Sequence, residues 1–340
     1  KGLDQLLEPF DDLPLPDTEA QPVLDLSRAR RRLANHVEVL AGFLDDDEDR
    51  CRWLAADKGR KGRRLARIAV APIEVRDTLR RILFHPIPGV TATSATLTIR
   101  EQFGYFRART GLPGGDEVIF PSPFDHPKQA LLGLPKDLPP PDHADYLAET
   151  SRVMVEAVEA ADGGAFVLCT SYRAVDAYAR ALAATGRTVL AQGQGSRSRL
   201  LDRFRRSPRS VLVGTDSFWE GVSVKGDGLR LVIIPRLPFR VPTEPLQQAR
   251  HERIQQRGLD PFRGYVLPAA VIKLRQGYGR LIRGYDDRGA VLLLDRRIHD
   301  RAYGRILLSS LPPARRVVGP WRRVRQALTE LYAPAPMNPA

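Results

Sequence analysis

Three side chains in the last quarter of the chain have types and spacing suited to anion chemistry. Gln276, Arg280 and Arg283 stand at i, i+4 and i+7 in the run Gln276-Gly277-Tyr278-Gly279-Arg280-Leu281-Ile282-Arg283. A helix carried from Leu267 to Ile282 would set all three on one face. Two guanidinium groups and an amide there are planar donors that match phosphate oxygens. In phosphoryl transfer the transition state spreads charge over those oxygens, and an arginine aimed at it adds orders of magnitude in rate. Gly277 and Gly279 are costly inside a helix, which argues that a backbone or a ligand comes close. A solvated basic helix face is the plainer alternative.

Other segments carry weaker chemistry. The run Val211 to Val222 reads as a buried strand ending at Gly214, then a polar loop with Thr215, Ser217, Phe218, Trp219, Glu220 and Gly221. Hydroxyls and backbone N–H groups after a strand can hold a phosphate. Trp219 or Phe218 could stack on a base, or could simply be core. Cys169-Thr170-Ser171-Tyr172-Arg173 marks a strand-to-helix junction. There Thr170 or Ser171 is a natural N-cap, and the helix start is equally an anion site. Thr93-Ser94-Ala95-Thr96-Leu97-Thr98 is small and hydroxyl-rich, and Gly193 to Arg199 is a basic loop. Arg236 and the run Asp295-Arg296-Arg297 each follow an apolar strand. For these the alternative is an arginine on an ordinary strand end.

The bulk of the chain fits a polyanionic partner. Lys and Arg number 53 against 40 Asp and Glu, a net charge of +13 carried mostly by arginine. A basic excess of this kind favours nucleic acid, although a GC-rich genome also raises arginine. Cys51 and Cys169 are too far apart for a metal-type spacing, and the histidines are scattered, so no metal site is expected. No apolar run is long enough to span a bilayer, and a cytoplasmic protein without membrane contact is expected. The chain starts at Lys1 and is read as a fragment.

The elements that must position these residues follow from the apolar pattern. Helical spacing runs from Val23 to Asp46, with the acidic run Asp45 to Asp49 as a solvated end. A strand is expected at Arg64 to Ala71, a helix at Arg76 to Phe84 and another strand at Gly89 to Leu97. The proline-punctuated stretch Leu112 to His143 reads as a boundary. Beyond it helices and strands alternate: helix Tyr146 to Ala160, strand Ala165 to Cys169, helix Ala174 to Ala184 and strand Thr188 to Ala191. Helix Ser198 to Arg205, strand Ser210 to Val213 and strand Leu229 to Ile234 follow. Helices then run from Pro245 to Ile282, with a last strand at Ala290 to Leu294 and a helix near Arg301 to Leu308. Apolar strands alternating with helices imply an α/β fold, a parallel sheet covered on both faces. Ligands of such sheets bind beyond the carboxyl ends of the strands.

In their order and spacing these segments resemble the back half of the DinG/XPD group of superfamily 2 helicases. Thr93 to Leu97 resembles motif III, Phe166 to Arg173 motif IV, Gly214 to Gly221 motif V, and Gln276 to Arg283 motif VI. The resemblance covers roughly residues 65 to 311. It implies a RecA-like second motor domain at 126–340, the C-terminal part of a first motor domain at 61–125, and the end of a helical, arch-like insert at 1–60. It implies Arg280 and Arg283 on the phosphates of ATP as the catalytic pair, with Gln276, Glu220, Gly221 and Gly279 lining the nucleotide site. Thr170, Ser171, Arg173, Thr215, Ser217, Trp219 and Arg236 would lie along single-stranded DNA. Partners would be ATP and single-stranded DNA, with translocation 5′ to 3′ by a monomer, in DNA repair or replication.

The chain departs from the full family pattern. It contains no G-x-x-x-x-G-K-[ST] run and no Asp-Glu-x-His quartet after an apolar strand. The phosphate loop and most of the Mg ligands would come from another part of a longer protein. Many relatives hold an iron–sulfur cluster on four cysteines, and neither Cys51 nor Cys169 stands in that region. Two other classes stay open: a non-catalytic DNA-binding or regulatory module, and a nuclease that uses the helicase fold to load DNA.

Overall fold

The computed structural model describes residues 21–58, 64–219, 226–240 and 244–333. The chain divides into two compact units, one of residues 1–88, 109–112 and 241–260, the other of 89–108, 113–240 and 261–340.

In the first unit, helix α1 (Gln21–Leu44) packs on a hairpin of strands β1 (Arg50–Lys58) and β2 (Arg64–Pro72). The two strands pair antiparallel, from Arg50 opposite Pro72 to Lys58 opposite Arg64. The expected helix and second strand are present, and β1 was not foreseen. Its sequence, Arg-Cys-Arg-Trp-Leu-Ala-Ala-Asp-Lys, lies directly after the acidic run and lacks a clean period of two. The helix expected at Arg76 to Phe84 forms as an α-turn, Arg76–Leu79, that widens into a π-turn, Arg80–Phe84. The acidic run is more than a solvated end, because Asp49 pairs with Arg253 at 2.5 Å and Asp47 with Arg50 at 3.0 Å. The Arg253 guanidinium holds the Asp49 carboxyl below its usual range.

The second unit is built on a seven-stranded sheet. Its strands are β3 (Ala130–Pro135), β4 (Ala165–Leu168), β5 (Val189–Ala191), β6 (Val211–Gly214), β7 (Leu231–Ile234), β8 (Gly289–Leu293) and β9 (Arg315–Gly319). Their order is β5-β6-β4-β7-β8-β3-β9, and every neighbouring pair is parallel. The expected α/β class with a RecA-like parallel sheet is what forms. Helices α2 (Tyr146–Ala160), α3 (Tyr172–Ala183), α4 (Arg197–Arg206), α6 (Leu267–Tyr278) and α7 (Trp321–Tyr332) belong to this unit, while α5 (Pro245–Gln256) belongs to the first.

Side chains alternate across the sheet, so each strand feeds two cores. Phe166 and Leu168 of β4, Val232 and Ile234 of β7, and Val291 and Leu293 of β8 pack with Leu200 and Phe204 of α4 and Val271 and Leu274 of α6. Ala165 and Val167, Leu231 and Ile233, and Ala290 and Leu292 pack on the other face with Val153 and Met154 of α2, Val175 of α3 and Leu328 of α7. Both faces being covered, the strands read as continuous apolar runs.

Three expectations fail here. Gly89 to Leu97 forms no strand: its backbone is irregular, with no neighbouring ladder. The stretch Leu112 to His143 is not only a boundary, because it contains β3, which lies inside the sheet between β8 and β9. Ala290 to Leu294 does not close the sheet either, since β9 and α7 follow.

Candidate functional site

The carboxyl ends of the central strands bring several expected residues to one edge. Thr215 follows β6, Thr170 and Ser171 follow β4, Arg236 follows β7 and Asp295 follows β8, and these four strands are neighbours in that order. A pocket of about 350 Å³ lies there, lined among others by Thr170, Ser171, Arg173, Arg236 and His143. Thr170, Ser171, Arg173 and Arg236 are exposed. Ser171 is the N-cap of α3, its Oγ accepting from the N–H of Ala174 at 3.3 Å. Cap and open helix start coincide, and a twelve-residue helix supplies the dipole that favours an anion.

The loop carrying Arg236 is fixed from below. Asp295 is fully buried and accepts from the Leu237 N–H at 2.9 Å, while Arg297 grips the same carboxylate at 2.6 Å. Burial pulls the Arg297 pKa down, and the bonds and charge of Asp295 more than offset that, so its guanidinium stays charged. The Tyr146 hydroxyl donates to the Pro235 carbonyl, and burial keeps that phenol far above its ordinary pKa, a permanent donor.

Thr215 is buried, its N–H and Oγ1 both donating to Gln192 Oε1, at 2.6 and 2.9 Å. Gln192 also donates to the Tyr172 hydroxyl at 3.0 Å. Sequence reasoning missed both residues. Tyr172 keeps a 64% exposed ring beside Thr170 and Ser171, able to stack on a base. Its signal was present in the Thr-Ser-Tyr-Arg run.

Trp219 is a correction. It is 0% exposed, its Nε1 donates to the Cys169 carbonyl at 3.3 Å, and the buried Lys273 ammonium lies 5.7 Å from its ring. With its faces packed, it offers no platform to DNA; Phe218 is buried likewise. Ser217 lies in the turn Asp216–Trp219, and Glu220 and Gly221 fall outside the described residues.

The segment after α6 also differs from expectation. Gln276 is in the helix, but the helix ends at Tyr278 with Gly279 as its C-cap, so Arg280 and Arg283 do not share its face. After the bond from Gly279 N–H to Arg275 O, the chain tightens through Arg280 N–H to Gly277 O and Leu281 N–H to Tyr278 O. A side chain at Gly277 would come within 3.0 Å of Leu168 and Trp219, so that glycine serves core packing, not the approach of a backbone or ligand. Arg280 Nε donates to the Trp219 carbonyl at 3.0 Å.

Arg283 is half-buried in a tightly held loop. Asp287 Oδ2 accepts from the N–H groups of Arg283 and Gly284, both at 2.8 Å, and Oδ1 accepts from Gly226 N–H at 3.1 Å. Gln129 Nε2 donates to the carbonyls of Gly284, Tyr285 and Asp287. Burial lowers the Arg283 pKa, and the Asp287 charge opposes it. This loop leads into β8, and Gln129 stands just ahead of β3, so it lies at the amino edge of the sheet. Arg275 of α6 reaches the segment Thr93 to Thr98, donating to the carbonyls of Ala95, at 2.8 Å, and Thr98.

Among known families, a helicase C-terminal domain matches residues 154–314, which include Thr170 to Arg236 of the carboxyl edge and Arg280 to Asp287 of the amino edge. The chain is similar to the C-terminal portion of DinG/XPD-like helicases. The ATP-dependent DNA helicase YoaA of Escherichia coli (strain K12) is 40% identical to it over 259 residues, which are 76% of this chain and 41% of that protein. The 3'-5' exonuclease DinG of Bacillus subtilis (strain 168) is 33% identical over 305 residues, 85% of this chain and 32% of that protein. An XPD helicase structure superposes with a TM-score of 0.58 at 15% identity, covering 90% of this chain and 57% of the other, a likeness of fold. This DinG/XPD-like chain thus spans well under half the length of these two curated relatives. Among its described residues no helix is long and apolar enough to cross a membrane, and no group of three or more His, Cys, Asp or Glu could hold a metal ion.

Proposed function

We propose that the chain supplies the second motor domain of an ATP-driven DNA helicase. Arg280 and Arg283 would meet the phosphates of ATP, and Gln276, Glu220, Gly221 and Gly279 would line the nucleotide site. Thr170, Ser171, Arg173, Thr215, Ser217 and Arg236 would follow single-stranded DNA. The observation that carries this reading is the bracing of the Arg280–Arg283 loop by Asp287 and Gln129. A guanidinium that stabilises a transition state must be held before the charge develops. An open groove of hydroxyls and arginines at the carboxyl edge suits a phosphodiester backbone, which must be gripped and released.

The same reading takes residues 1–60 as the end of an arch-like insert, 61–125 as part of a first motor domain and 126–340 as the second. Magnesium on the nucleotide would take its protein ligands from that first domain. Cys51 and Cys169 are free and lie in different units, so they offer no four-thiolate set for an iron–sulfur cluster. We place the protein in the cytoplasm as a monomer, moving 5′ to 3′ in repair or replication.

The test is DNA-stimulated ATP hydrolysis by the full-length protein. Arg280→Ala is expected to lower turnover by about 10³-fold or more while single-strand binding stays near the unaltered value. Retained turnover would overturn the role of Arg280. Absence of turnover in the unaltered protein, with DNA binding intact, would favour a non-catalytic DNA-binding module.

A further inference from the structure

Four rings form a row that runs from the core to the surface beside the arginine loop. Tyr278 is 1% exposed and His126 7%, with centroids 5.9 Å apart. His126 meets the half-buried Phe124 edge-on at 6.2 Å, and Phe124 meets Tyr285 at 5.7 Å and 65°. Tyr285 is 75% exposed. An edge contact of this kind covers at most one face of the outermost ring. The ring is also held in place: Gln129 binds its carbonyl at 2.9 Å, and the Asp287 carboxylate caps Arg283 and Gly284 immediately before it. Tyr285 therefore stands two residues from Arg283 on a backbone that cannot drift from it.

We propose that Tyr285, backed by Phe124, is the stacking face for the base of the nucleoside triphosphate whose phosphates meet Arg280 and Arg283. The proposal rests on the function given above and adds the recognition of the base. An exposed aromatic ring is normally left to water. Here a buried histidine, a buried tyrosine and five hydrogen bonds, three donated by Gln129 and two accepted by Asp287, fix one on the loop that carries Arg283. Every nucleobase has a π-face, so the platform favours the presence of a base over its identity. ATP and GTP should therefore be used with similar KM.

The experiment measures KM for ATP and the inhibition constant of inorganic tripolyphosphate, which has no base, on the full-length protein. Tyr285→Ala is expected to raise KM for ATP roughly five-fold or more, the loss confined to KM, with tripolyphosphate inhibition unchanged. Tyr285→Phe and Tyr285→Trp should restore the lower KM. An unchanged KM in Tyr285→Ala overturns the proposal. So does a parallel weakening of tripolyphosphate, which would show that the arginine loop itself had shifted. Failure of the unaltered protein to hydrolyse any nucleotide overturns the helicase reading, and this proposal falls with it.

Discussion

The two edges of the sheet hold their arginines in different ways. At the carboxyl edge Arg173 and Arg236 stand in water, and only the backbone beneath Arg236 is fixed, by Asp295 and Tyr146. At the amino edge the backbone on both sides of Arg283 is tied by one carboxylate and one amide, and its guanidinium is half-buried. The contrast matches two kinds of work. A translocating strand must be bound by contacts that let go, which favours exposed charge and screening by salt. A transition state lasts no time at all, so the groups that meet it cannot spend energy on arranging themselves.

Trp219 belongs to both edges, and removing it should have the largest effect. Its ring backs Gly277, its Nε1 holds the end of β4, and its carbonyl holds Arg280. Trp219→Ala is expected to cost about 3–5 kcal/mol in urea unfolding of this unit, as for a buried large aromatic. Weakened DNA binding without that loss of stability would return Trp219 to the role of a stacking residue. Asp287→Ala comes next. With three N–H groups released, turnover should fall by about 100-fold through misplacement of the arginines, at unchanged DNA affinity. An equal loss of DNA binding would erase the division between the edges.

Arg173→Ala and Arg236→Ala sharpen the same division from the other side. Each should weaken single-strand binding and lower the slope of log affinity against log salt by about 0.7, leaving turnover at saturating DNA intact. Equilibrium binding between low and physiological salt measures this, and a slope unaltered in both variants would remove the carboxyl edge from the DNA path.

The smallest expected effect is on pH. Burial lowers the pKa of His126 and of His299 below the ordinary value of about 6.5. On acidification the unfolded chain therefore takes up these protons first. The stability is fully present above that value and declines as pH falls through the window beneath it. The urea midpoint should drop between pH 7.5 and 5.5, and His126→Gln with His299→Gln should flatten the decline.

Much of the sheet could be read directly from the residues. Val211–Gly214, Leu231–Ile234 and Gly289–Leu293 are short apolar runs because both faces of each strand are buried. β3 has the same signature, Ala-Leu-Leu-Gly-Leu-Pro, but is flanked by prolines that pointed to a boundary. β9 begins with two exposed arginines, as an edge strand can, and so lacks the pattern altogether. At the sites, hydroxyl and arginine types located the carboxyl edge, because strand ends are where such folds bind. What the types could not give was partnership. Gln192 and Gln129 act through backbone and hydroxyl groups distant in sequence, as Asp287 does at Gly226, and no local spacing announces that. The same limit misplaced Arg280 and Arg283 on a helix that the packing of Gly277 and the cap at Gly279 bring to an end.

The position of β3 sets the order in which the domain can be completed during synthesis. It is the first strand of the sheet to be made, yet its neighbours are the last two: Ala130 lies beside Gly289, and Leu131 beside Arg315. The β5-β6-β4-β7 block can assemble while the chain is still growing. The leading strand must wait unpaired until β8 and β9 have left the ribosome, an interval in which its apolar side chains are the domain's chief exposure to aggregation and to chaperones.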